Sequence, residues 1–567
     1  MTGTIFTLPG TETTTGDSEW VTPGEPGWPS LAQWDELNRE VDGRLSRVRV
    51  PNVADAETQK LLRNPFYIGE QAGLTQISGW AGAWRSAPSA YVVAAKTATD
   101  IAAAIRFARV HNVRLIVKGG GHSYFGASTS PDSLLIWTRR MQTVTVHDAF
   151  IPQGCLAAPV PAVSAGAGCI WLQLYQAVTG RFGRYVQGGG CTTVGVPGLV
   201  LGGGFGSFSK RYGLAAASLL EAEIVTADGK LRVVNAAQDS DLFWALKGGG
   251  GGTFGVVTRV TLRTHELPAT FGSVRLDVQA HSDQAYRQLL ARFVALYATR
   301  MFNAHWGENV VARPDNLLQV RMVFQDLTRD AALAVWQPLI DYLHARPGDY
   351  AGIESLQVNS DPARSFWDAD YNRRYAGDSV VFDDRTGASP EDFWWSSDSR
   401  EAGGCLHAYM SAWLPASLLD EEGQVRLVDA WFAASRQWAL GLVFSKGLAG
   451  ASPAVTEAAR NTAMNPEVVD AFAWAVTHWY GPPIFAGMPP PQGASAAAVI
   501  RVRAANAMAV LRTLVPNAGT YLSECDYFQP DWQRAFWGAN YAGLLKIKER
   551  YDPDGLFTVH HGVGSEN

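Results

Sequence analysis

Between Tyr91 and Leu262, hydrophobic positions come in short β-branched runs separated by glycine-rich breaks. Tyr91-Val92-Val93-Ala94-Ala95 predicts a strand, Thr99 an N-cap, and Asp100 to His111 repeats apolar residues at helical spacing. Val113 to Val117 predicts a second strand that runs straight into Lys118-Gly119-Gly120-Gly121-His122-Ser123. A strand–helix–strand unit ending in a glycine loop is a common way to build an anion site. Further strands are expected at Leu134–Trp137, Val144–Val146 and Ala162–Ala165, and a helix at Ile170–Val178. Glu221–Thr226 and Leu231–Val234 flank Ala227-Asp228-Gly229, a hairpin signal. A short helix, Asp241–Lys247, then leads into five glycines and the strand Val256–Leu262.

Around Pro268 the pattern changes. Alternating strands (Leu317–Val323, His407–Trp413) and amphipathic helices (Ala331–Leu343, Val425–Trp438) replace the glycine loops, and aromatic residues crowd Phe366 to Trp395. A helix is expected at Ala496–Leu514, a strand at Thr520–Cys525, and a last helix through Asn540-Tyr541, stopped at Tyr551-Asp552-Pro553. The expected division is a lead-in over 1–85 with a polar tail and a helix near Leu31–Val41, then a glycine-loop domain over 86–267. A second domain on an antiparallel sheet covers 268–515, and a closing segment 516–567.

Composition narrows the function classes. The chain has 567 residues, a net charge of −6 and no sustained Lys/Arg block, so neither nucleic acid nor membrane is expected as a partner. Five cysteines without a CxxC pair indicate neither a disulfide scaffold nor a metal site. No signal peptide is visible, which makes a cytoplasmic protein the expectation and leaves a secreted mature form open. A monomer or dimer is expected.

The densest chemistry lies in Gln187 to Tyr212, with nine glycines between Gly188 and Gly206 and Cys191 among them. The apolar run Pro197-Gly198-Leu199-Val200-Leu201 inside it argues for main chain wrapped around a bound group, since a flexible linker lacks such a run. Gly250, Gly252 and Gly255 satisfy G-x-G-x-x-G, but with a helix before and a strand after. The dinucleotide fingerprint needs the reverse order, so a Rossmann domain with NAD is rejected.

Three motifs together resemble a known family: Val117-Lys118-Gly119-Gly120-Gly121-His122-Ser123, Gly190-Cys191-Thr192-Thr193-Val194-Gly195 with Gly202-Gly203-Gly204-Phe205-Gly206, and Trp537-Gly538-Ala539-Asn540-Tyr541 through Tyr551-Asp552-Pro553. The chain resembles FAD-linked oxidases of the berberine-bridge-enzyme-like branch of the vanillyl-alcohol-oxidase superfamily. The resemblance is strong over 86–267 and 516–557 and weaker between. It implies an α+β fold: a two-lobed PCMH-type FAD-binding domain plus a substrate domain whose antiparallel sheet is covered by helices. It also implies a bicovalent flavin, His122 on the 8α carbon and Cys191 on C6. Lys118, Gly119, Gly120, Gly121 and Ser123 would hold FAD from the first loop. Gly190, Thr192, Val194, Gly195, Gly198, Gly202, Gly203 and Gly206 would do so from the second. Gly255, Val257, Asn540 and Tyr541 complete the implied cofactor set, with His560 and His561 near the centre. Two departures stand out: Lys118 where the family often has Arg, and Lys210 as an extra cation in Ser209-Lys210-Arg211-Tyr212.

The expected reaction takes a hydride from a CH–OH group of a carbohydrate or a phenolic or polyketide-like alcohol to flavin N5. Dioxygen then returns the flavin to its oxidised state and gives hydrogen peroxide. The resemblance makes Tyr521 the favoured base, with Ser523 replacing a frequent Asn. Glu524 is the easier base by pKa, but in a strand it points to the opposite face from Tyr521. His407 and Tyr409, two apart on a predicted strand, share a face toward substrate. The competing readings are an oxidative cyclase or dehydrogenase on the same fold and a non-catalytic flavin- or glycan-binding protein.

Overall fold

The computed structural model describes residues 20–488 and 494–566; the polar tail over 1–19 lies outside them. Three sheets organise the chain. The first orders Leu45–Arg47, Tyr91–Ala94, Ser133–Trp137 and Arg114–Lys118, the last three parallel. Helix Ala98–His111 makes the crossover, capped by Thr97, one residue before the expected cap, in a reciprocal box with Asp100. The second sheet is antiparallel: Leu231–Asn235, Leu219–Val225, Val256–Glu266, Val160–Gly166 and Val144–Phe150, with Arg184–Val186 on the long central strand. Apart from Leu45–Arg47, every strand of these two sheets lies within 86–267.

The third sheet is the largest, and its two faces have different partners. Helices Asp283–Leu296, Arg329–His344 and Glu421–Ser435 bury their apolar stripes on one face, around Val310, Val320, Ala412 and Leu414. On the strand Cys405–Pro415 the alternate residues Tyr409 and Trp413 point the other way. There they join Trp474, Phe205, Met464 and Tyr521 in a separate cluster. The second glycine run therefore packs directly against the uncovered face of the sheet.

The lead-in joins two of the sheets: Leu45–Arg47 edges the first, and Gly79–Trp80 adds to the third, parallel to Cys405-Leu406. Within the aromatic stretch 366–395, Trp367, Phe393 and Trp394 pack into the core beside the second sheet. One expectation needs correction. Thr520–Cys525 is not a strand but a turn, in which the Glu524 amide donates to the Tyr521 carbonyl at 3.0 Å. No helix among the described residues is long and apolar enough to cross a membrane.

Candidate active site

The loop after Arg114–Lys118 and the second glycine run meet in a seam. A Cβ on Gly120 would stand 2.6 Å from the Gly195 amide nitrogen, so only glycine permits this approach. His122 Nε2 lies 3.1 Å from Thr193 Oγ1, two residues past Cys191. His122 Nδ1 lies 3.4 Å from Glu401 Oε1, and Glu401 also acts electrostatically on the Cys191 thiol. The imidazole and the thiol thus share one neighbourhood. Burial, reinforced by Asp398 and Glu401, holds that thiol well above the ordinary cysteine range.

The seam fits FAD. Gly190 and Gly198 face open space where a side chain would stand, whereas most neighbouring glycines are packed against protein. Thr192 Oγ1 is buried without a hydrogen-bond partner among the described residues. Behind Arg139 and Ile170 the seam adjoins a cleft of about 790 Å³ whose lining includes Lys96, Arg140 and Arg181. Lys96 and Arg140 suit a diphosphate, while Arg181 is paired with Glu391 at 3.2 Å and Glu70 and Asp392 also line the cleft. Val194 is tied by its carbonyl to the Trp171 amide at 3.0 Å, and Ser123 Oγ accepts from the Phe125 and Ala127 amides. Gly255, at φ +147°, sits against the Val225 carbonyl beside buried Val257.

Other expected site residues are occupied elsewhere. The Lys118 ammonium donates to the carbonyls of Gln71, Ala72 and Leu74, and burial pulls its pKa down to about 7. It fastens the lead-in to the strand end. The Asn540 side chain donates to the Met464 carbonyl at 2.7 Å, and Met464 fills the space at Gly203. Tyr541 hydrogen-bonds Glu566. Gly206 is sterically excluded from carrying a side chain by the Gly188 carbonyl, and Gly202 packs against Ser523 Oγ, which favours a small residue at 523 over Asn. His560 stacks on Tyr527 at 3.8 Å, and His561 on Trp532 at 5.2 Å. Both reach the first glycine loop through Phe125.

On the sheet face beside the seam, the Tyr409 hydroxyl donates to Glu524 Oε2 at 2.8 Å, and Lys446 Nζ donates to the same oxygen. The backbone carbonyl of Glu524 accepts from Ser411 Oγ at 2.8 Å. Tyr409 stacks on His478, and Tyr124, two residues past His122, meets Tyr480 hydroxyl to hydroxyl at 2.9 Å. His407 is absent from this face. A β-bulge between Leu406 and Ala408 breaks the alternation and sends its imidazole against Gly481, so it does not share a face with Tyr409. Because 520–525 is a turn, the strand argument separating Tyr521 from Glu524 fails. Tyr521 lies edge-on to Phe205, with burial holding its hydroxyl above the usual phenol range. Lys446, Tyr480 and His478 escaped sequence reasoning; the period-2 pattern of Ala471–Gly481 was the one available signal for the last two.

Comparison with known proteins settles the family. Residues 88–235 match the model of an FAD binding domain, and residues 520–564 that of berberine and berberine-like proteins. An FAD-linked oxidoreductase, easE, of Arthroderma otae is 32% identical over 595 residues, spanning 96% of this chain and 89% of that protein. The chain belongs to the berberine-bridge-enzyme-like FAD-linked oxidoreductases. The oxidoreductase also superposes on the VAO-type flavoprotein MtVAO615 of Myceliophthora thermophila with a TM-score of 0.77 and 26% identity, covering 96% of this chain and 97% of that one. A glucooligosaccharide oxidase of Acremonium strictum, carrying a 6-S-cysteinyl, 8α-N1-histidyl FAD, shares the fold at a TM-score of 0.63 and 22% identity (84% and 92% covered). FAD is thus the cofactor of this oxidoreductase.

Proposed function

We propose that the protein is an oxidase of a CH–OH group in a carbohydrate or a phenolic or polyketide-like alcohol, with FAD attached to His122 and Cys191. The convergence of His122, Thr193, Cys191 and Glu401 supports the double attachment, as does the same pair of linkages in the glucooligosaccharide oxidase. FAD, when bound, accepts the substrate hydride and passes the electrons to dioxygen, yielding hydrogen peroxide.

The observation that carries the reading is the Tyr409–Glu524–Lys446 contact on the face packed against the seam. Glu524 is the base: its carboxylate takes the hydroxyl proton while two donors orient it. Lys446 holds charge beside it and lies 4.3 Å above the Trp474 ring, which fixes the ammonium from its other side. Tyr124, Tyr409, Tyr480 and His478 form an aromatic wall for sugar or aromatic rings. A panel of carbohydrates and alcohols, followed by peroxide release and anaerobic flavin bleaching, tests the reading. Bleaching without peroxide would replace the oxidase by a dehydrogenase. Binding without bleaching would remove the enzymatic reading.

A further inference from the structure

One short segment serves both attachment residues. The helical turn Ser396–Arg400 is seated on the second glycine run, because the Trp395 indole donates to the Gly190 carbonyl at 3.0 Å. The Glu401 and Ala402 amides return to the Asp398 carbonyl at 3.0 and 3.2 Å, which winds the turn tightly. Asp398 and Glu401, three apart on it, therefore face the same way. Glu401 meets His122, and Asp398 lies near enough to act on the Cys191 thiol. Ser397 Oγ donates to Asp398 Oδ1 at 3.2 Å, while Asp398 Oδ2 is buried without a hydrogen-bond donor of its own among the described residues. A buried, half-satisfied carboxyl beside a thiol is costly to keep unless it has a task.

The obstacle to attachment lies in the same contacts. A cysteine reacts as thiolate, and the half-buried Cys191 stands among Asp398, Glu401, Glu524 and Tyr175, whose negative charge opposes a thiolate. It does not ionise by itself at neutral pH. We propose that Asp398 is the proton acceptor that activates Cys191 for joining to the flavin, an inference that rests on the double attachment proposed above. In that step the S–H bond breaks toward the Asp398 carboxylate as sulfur bonds to C6. Overall, one S–H and one C6–H bond are exchanged for one S–C6 bond, and two electrons with two protons leave on dioxygen as hydrogen peroxide. Asp398 is suited to the exchange: burial and then Glu401 raise its pKa to about 7, while Cys191, Ser397 and His122 act the other way. That places it where it both accepts and returns a proton.

The test isolates the cysteine linkage by removing the other. Flavin-free His122→Ala, His122→Ala/Asp398→Asn, His122→Ala/Asp398→Glu and His122→Ala/Cys191→Ala are mixed with FAD in air, quenched in acid at intervals and weighed by intact-mass spectrometry. Native FAD binding is followed separately by co-elution on gel filtration. His122→Ala should gain the mass of one FAD and the Cys191→Ala double variant none. Asp398→Asn should bind FAD but attach it on the order of 100-fold more slowly, with the rate recovering as pH is raised toward the thiol range. Asp398→Glu should restore it. Attachment in Asp398→Asn at the His122→Ala rate overturns the role of Asp398. Should Asp398→Asn not bind FAD, Asp398→Glu decides: attachment supports the proposal, and binding without attachment overturns it. If His122→Ala itself never gains mass, it is the double attachment that fails.

Discussion

Tyr409 and Lys446 donate to one oxygen of Glu524, and this convergence is the ground for proposing Glu524 as the base. Two donors on one oxygen orient the Glu524 carboxyl, whereas burial holds the Tyr521 hydroxyl above the usual phenol range. Glu524→Gln should slow anaerobic flavin reduction by about 10²–10⁴-fold with little change in substrate affinity. Tyr521→Phe should stay within about 10-fold of wild type by the same criterion. The reverse ranking would return the role to Tyr521. Asp398 gives a pH signature. Its folded-state pKa of about 7 lies above the ordinary value near ~3.9. Between those values the folded chain holds a proton that the unfolded chain releases. Its stabilising contribution is therefore complete at low pH and lost as pH rises through about 7. Thermal melts of the flavin-free protein across that window should fall more steeply for wild type than for Asp398→Asn.

At the scale of elements, the glycine-loop domain was legible and the sheet face above it only partly so. β-branched runs and glycine breaks mark the strands of the first two sheets because each strand is short and buried, with loops that close approaches such as Gly120 to Gly195 restrict to glycine. The same reasoning misplaced His407, since a bulge has no period of its own, and read 520–525 as a strand where a single turn brings Glu524 to Tyr409. Lys446 follows a strand edge and owes its place to contacts distant in sequence. The unexpected cation Lys210 finds its reason here too. Its buried ammonium donates to the Gly447 and Phe472 carbonyls at 2.7 and 2.8 Å, pinning the second glycine run to the large sheet. Lys210→Met should destabilise the protein by about 2–4 kcal/mol in denaturant titrations, since two charge-assisted bonds vanish and two carbonyls stay buried. Flavin attachment should persist at low temperature. Unchanged stability would show that the pin is dispensable.

Across the whole molecule, three distant parts of the chain enclose one seam: the first two sheets, the uncovered face of the third, and the turn that follows the aromatic stretch. The C-terminal segment closes it, with the Trp537 indole donating to the Gly248 carbonyl at 3.0 Å and His560 and His561 meeting Phe125. That arrangement has a purpose if the cofactor is gripped by both loops. The measurement that bears on this most directly is the flavin content of acid-precipitated protein, read as absorbance and intact mass for wild type, His122→Ala, Cys191→Ala and the double variant. Flavin should stay with the first three and leave only the double variant. Complete release from wild type would contradict the account.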